Sequence, residues 1–164
     1  MFVASRPCKK VIFLDVDGVL NDRFTEDRTP DGFIGLNHTM IDHLKSIVDQ
    51  TGAFVVLVST WKEEWDTDPA NRSKDGEYLH DTLLKHGIRI IDKTTDRTAD
   101  RGHGIVKYLE AHPEVDKWVV LDDDVFYDYQ ECGIMPHLVR TRFGFGGLTN
   151  ELAKQAILKL NAAA

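Results

Sequence analysis

The sequence predicts an α/β fold, a three-layer αβα sandwich around a mainly parallel central sheet. Two observations carry that expectation. Short apolar runs rich in β-formers recur along the chain, as "VIFL", "AFVVLV" and "WVVL", and they are apolar throughout rather than alternating. That is the pattern of strands buried on both faces. Between the runs lie segments with apolar residues at helical spacing, and such alternation builds a parallel sheet with helices on either side.

The elements follow in order. "KVIFLD" (10–15) is a buried strand. "GVLNDRFTEDRTPDGFIG" (18–35) is polar and rich in Gly, so it reads as a loop or short hairpin over the strand end. "LNHTMIDHLKSIVDQTG" (36–52) is a helix, with Asn37 as N-cap and Gly52 as its stop. "AFVVLVST" (53–60) is a second apolar strand that ends in two hydroxyls. "WKEEW" fits one or two helical turns, and the following residues to Tyr78 form a turn-rich loop. A helix over 78–87 and a strand "IRII" (88–91) come next. "DKTTDRTADRGHG" (92–104) is a polar loop, and the helix after it stops near Pro113. "KWVVL" (117–121) is a strand running into Asp122, Asp123 and Asp124. "HLVRT" (137–141) is a last short strand, and Thr149 caps a terminal amphipathic helix.

The 164 residues imply one domain over 1–164, with a core from about 10 to 160. Net charge is −7, which argues against broad adhesion to nucleic acid but leaves room for a local basic site. Cys8 and Cys132 fit no paired-ligand spacing and read as free thiols of a reducing compartment. The first ten residues carry Arg6, Lys9 and Lys10 without the apolar core of a leader, and no run is long enough for a membrane span. The expectation is a soluble cytoplasmic protein without a membrane partner.

In parallel sheets, ligands bind beyond the carboxyl ends of the strands. Three strands end in groups suited to a site: Asp15 and Asp17, Ser59 and Thr60, and Asp122 and Asp123. One of the first pair could attack while the other trades protons with a leaving group. Several carboxylates at neighbouring strand ends repel one another unless a cation intervenes, and hard oxygen ligands favour Mg2+. Arg101, opening a helix after a polar loop, is suited to grip a phosphate or pair with a carboxylate; Lys93 and Lys107 are weaker claimants. Arg23, Arg28, Arg72 and Lys74 read as scattered surface bases, and Trp61 and Trp65 as packing residues. No GxSxG, GxxxxGK[ST] or GxGxxG pattern is present.

With these pieces in hand, the chain resembles the haloacid dehalogenase (HAD) superfamily. "FLDVDGVLN" (13–21), Ser59 after "VVLV", Arg101, and "VVLDDD" (119–124) are similar to its four motifs in order. "LVSTW", "RGHGIVKYL" and "HLVRT" resemble the small HAD domains found alone in bacteria and in RNA-repair proteins. The resemblance implies a Rossmannoid HAD-like core with minimal or no cap. It implies a Mg2+-dependent phosphomonoester phosphatase with Asp15 as nucleophile and Asp17 as acid and base. Ser59 would hold a phosphoryl oxygen, and Arg101 would stabilise the phosphoryl and orient Asp15. Mg2+ would sit among Asp15, the Asp17 carbonyl and a fourth-motif carboxylate, Asp122 first by register and Asp123 next. The implied substrate is a phosphorylated small molecule, nucleotide or polynucleotide end, taken by a monomer or homodimer. The other reading is a weakly active, metal-binding regulatory or protein-interaction domain.

Overall fold

The computed structural model describes residues 8–163, with Thr98 through its backbone alone. The expectation for the segment around Arg6 lies outside the described residues. Five strands, β1 (Lys9–Leu14), β2 (Phe54–Leu57), β3 (Ile90–Lys93), β4 (Val115–Asp122) and β5 (Leu138–Arg140), form one sheet. Its order is β3-β2-β1-β4-β5, and every pairing is parallel. The α-helices are α1 (His38–Thr51), α2 (Lys74–Lys85), α3 (Arg101–Ala111) and α4 (Asn150–Asn161).

Strand β1 is central and apolar on both faces, and its alternation sorts the layers. Ile12 and Leu14 point to one side, where they meet residues of α1, α2 and α4 such as Leu44, Leu79 and Ala156. Val11 and Phe13 point to the other, against Ile105 and Tyr108 of α3 and against Tyr129 and Ile134. Both layers are fully buried at β1.

Helix ends follow their caps. Asn37 accepts from the Met40 amide, and Gly52 closes α1 at φ 71° in the left-handed region. Thr149 accepts from the Leu152 amide at the start of α4. Several boundaries differ from the sequence expectation, and four of them bear on the site or have a visible cause. Helix α2 starts at Lys74 rather than Tyr78, because Ser73 caps it and Gly76 allows its first turn to press on the Glu64 carbonyl. Strand β3 starts at Ile90 rather than 88, because the Ile88 amide donates back to Leu83 in the helix-terminating turn. Helix α3 starts at Arg101, taking in Gly102, His103 and Gly104 of the segment read as loop, and its local cap residue, Asp100, supplies no side-chain bond. The Asp128 carboxylate instead accepts from the Gly102 and His103 amides, from 26 and 25 residues away. Strand β2 ends at Leu57, so Ser59 and Thr60 belong to the turn beyond it.

Candidate active site

Register builds the centre. Leu14 pairs with Leu121 in the parallel ladder, so Asp15 and Asp122 leave adjacent strands side by side. The Asp15 amide still donates to the Leu121 carbonyl at 2.9 Å. Alternation turns both carboxylates toward the face that carries α3. There the first residue of α3, Arg101, places one guanidinium nitrogen 2.8 Å from Asp122 Oδ2 and 3.3 Å from Asp15 Oδ1. The guanidinium also lies over the Phe126 ring, 4.2 Å from its centre. Tyr129 donates its hydroxyl to the same Asp122 oxygen at 2.6 Å. The other oxygen, Oδ1, accepts from the Asp124 amide. Asp122 is thus fully buried with both oxygens engaged.

Asp123 comes in from the cleft side. Gly18, at φ 82°, turns the chain beside it, and a Cβ there would collide with the Asp123 carboxylate. Asp15, Asp122 and Asp123 each offer an oxygen, and these oxygens lie within 4.8 Å of one another. Burial, then the Asp122 charge, pushes the Asp15 carboxyl well above the usual range, and Arg101 only partly opposes this. Burial also raises Asp123. For Arg101, burial pulls the guanidinium down, but Asp15 and Asp122 together hold it above its ordinary value. Three carboxylates facing one arginine leave an excess of negative charge at a hard-oxygen donor set. That set suits a divalent cation.

Asp17 opens the turn beyond β1 and is exposed at the mouth of the cleft. It is nonetheless held at both oxygens. Asn21 Nδ2 donates to Oδ1 at 2.9 Å and Trp61 Nε1 to Oδ2 at 3.1 Å. Asn21 is fully buried and fixed in turn by the Gly18 amide and the Gly35 carbonyl. Trp61 therefore does more than pack, while Trp65 is a core residue, 1% exposed. Ser59 is fully buried and its Oγ accepts from the Trp61 amide; the exposed Thr60 beside it lines the cleft.

Among the basic candidates, Arg101 alone reaches the carboxylates. Lys93 donates to the Lys62 and Trp65 carbonyls, and Lys107 is exposed on α3. The loop arginines serve local structure. Arg28 donates to the Thr25 and Asp27 carbonyls, and Arg72 pairs with Glu77 and lies over Trp65. A buried pair below the site went unread in the sequence. Lys62 Nζ approaches Asp96 Oδ1 at 2.9 Å, both side chains are at most 4% exposed, and the contact is ionic rather than a well-aligned hydrogen bond.

The cleft over the carboxylates measures about 810 Å3. Its walls include Phe33 and Ile34 of a short flap, Trp61, Phe126 and Phe143. The flap is a small hairpin closed by a bridge between Arg28 and Ile34. It is tied across the cleft by the Asp31 amide, which donates to Asp75 of α2. Its other end is tied by Asp22, which accepts from the Gly146 amide. Among the described residues Arg101 is the one basic group in the lining; Asp31, Glu63, Glu64, Asp75 and Asp124 add further negative charge. Among the described residues no helix is long and apolar enough to cross a membrane.

A family model for the HAD domain in Swiss Army Knife RNA repair proteins matches residues 11–153. Comparisons with curated proteins and with solved structures give no match. The matched span runs from β1 into α4 and takes in Asp15, Asp17, Ser59, Arg101, Asp122 and Asp123. The chain belongs to the HAD domain family of Swiss Army Knife RNA repair proteins.

Proposed function

We propose that the chain is a single-domain, Mg2+-dependent phosphomonoesterase that works through an aspartyl-phosphate and removes terminal phosphate from nucleotides or polynucleotide ends. The observation that carries this reading is the pairing of two unlike carboxylates at one cleft. Asp15 is buried beside Arg101, and Asp17 is exposed and held by Asn21 and Trp61. In the first step an Asp15 oxygen attacks phosphorus and the bond to the leaving oxygen breaks, while Asp17 gives that oxygen a proton. In the second, Asp17 takes a proton from the water that attacks the phosphoryl group, which frees phosphate and restores Asp15. The Ser59 hydroxyl hydrogen and the Thr60 side chain are the groups suited to a phosphoryl oxygen.

Asp15, Asp123 and the Asp17 carbonyl would hold Mg2+, with Asp122 behind them keeping Arg101 in place. This order reverses the register-based preference for Asp122, whose oxygens already serve Arg101, Tyr129 and the Asp124 amide. When bound, the ion supplies positive charge to the carboxylates and to the phosphoryl oxygens. The acidic walls favour a substrate that enters by its terminal phosphate over a strand lying along the cleft.

The test is phosphate release from p-nitrophenyl phosphate with added Mg2+, then from a phosphorylated oligonucleotide and free nucleotides. Asp15→Asn should abolish release on every substrate. Equal activity in that variant would overturn the mechanism, and metal binding without turnover on any of these would favour the regulatory reading.

A further inference from the structure

We propose that His103, Glu131 and Cys132 form a second metal site, suited to Zn2+ and separate from the carboxylate centre. One ligand atom from each lies within 4.8 Å of the other two. The histidine is already oriented for the task. Its Nδ1 lies 2.7 Å from Asp128 Oδ2, and Asp128 is fully buried. An ionised carboxylate can only accept, so the shared proton sits on Nδ1, and in the neutral imidazole that a metal requires the lone pair is on Nε2. Nε2 faces Glu131, 3.5 Å from Oε1. A buried carboxylate behind the far nitrogen is the arrangement that holds metal-bound imidazoles in place. Cys132 is unbridged, and its amide donates to the Asp128 carbonyl, which fixes it on the turn after Asp128.

The donor set selects the ion. Nitrogen, thiolate and carboxylate together favour Zn2+ over Mg2+, and three protein ligands leave a fourth position for water. The two acidic neighbours that attract a cation also disfavour a bare thiolate: burial, then Asp128 and Glu131, raises the Cys132 thiol. Metal binding at Cys132 therefore expels a proton.

The position gives the site a consequence. His103 lies in the first turn of α3, two residues after Arg101, and Cys132 lies three residues after Tyr129. Arg101 and Tyr129 both hold Asp122. An ion at this site would tie together the two segments that fix Asp122 from behind, without entering the cleft.

Titration of the metal-free full chain with Co2+ tests the proposal. A thiolate ligand gives cobalt a near-ultraviolet charge-transfer band that carboxylates do not. The expected result is one equivalent with that band, lost in Cys132→Ser and retained in Cys8→Ser and in Asp15→Asn. Zn2+ should displace the cobalt and raise the Tm of the wild type more than that of Cys132→Ser. Absence of the band from the wild type would overturn the site and leave His103 as an ion-pair bridge between Asp128 and Glu131. So would a band that survives Cys132→Ser.

Discussion

Lys62→Met should destabilise the protein more than an ordinary substitution, because it strands a buried charge. Lys62 and Asp96 lie 2.9 Å apart with side chains 4% and 3% exposed, so water reaches neither. Removing one partner of such a pair costs about 3–5 kcal/mol, chiefly for the charge left alone. In a chain of this size, 1 kcal/mol moves Tm by about 2–4 °C, so the variant should melt roughly 6–20 °C lower. A total stability in the upper part of the usual range of about 5–15 kcal/mol leaves it folded in the cold. Urea unfolding of Lys62→Met, Asp96→Asn and the double variant makes the measurement. The double variant should lose less than Lys62→Met, since a neutral buried amide costs only about 1–3 kcal/mol. A loss under about 1 kcal/mol in Lys62→Met would refute the reasoning, and so would strict additivity. Activity should fall with stability, because the pair joins the turn that carries Trp61 to the loop that leads into Arg101.

Three further outcomes follow from the geometry. Trp61→Phe removes the donor to Asp17 Oδ2 while keeping the ring, and a hydrogen bond to a charged group is worth about 1.5–3 kcal/mol; kcat should fall about ten- to a hundredfold at unchanged Tm. Mg2+ should raise the Tm of the wild type, and Asp123→Asn should remove most of that rise, whereas an Asp123→Asn protein still stabilised fully by Mg2+ would return the ligand role to Asp122. Burial raises Tyr78 and Tyr129 and pushes Tyr108 up to about 12, and the Asp100 carboxylate pushes Tyr127 up to about 12. The stability these neutral phenols contribute is full below the unfolded tyrosine value and is lost as pH rises through the raised folded values. Absorbance titration should therefore show phenolate appearing above the ordinary value of about 10 while the fold holds, with Tyr108 and Tyr127 among the last to ionise, and four tyrosines titrating with ordinary midpoints would contradict the structure.

What the sequence made legible was local. The apolar runs marked the strands, Asn37 and Thr149 marked helix starts, and parallel register brought Asp15 beside Asp122. What it hid was long-range. The cap of α3 comes from Asp128 across the chain, a partner that no nearby residue announced. Trp61 was read as packing because its partner, Asp17, is 44 residues away. Asn21 stood inside the first motif, with polarity as its one signal, and gained meaning only when its amide met Asp17. The choice between Arg101 and the lysines also needed coordinates, since all three stood on plausible segments and one reached the carboxylates.

The place of β1 in the sheet bears on how the chain emerges from a ribosome. Strand β1, the earliest among the described residues, is buried on both faces, and its two neighbours are β2 and β4. Pairing on one edge can begin once Leu57 is out, but the other edge waits for residues up to Asp122. Through that interval "VIFL" keeps an open hydrogen-bonding edge and an uncovered apolar face, the combination that invites intermolecular strand addition. Non-local parallel pairing is also slow to form. Nascent chains that stall before β4 should therefore be the aggregating species, and chaperone occupancy should drop once residue Asp122 has cleared the exit tunnel.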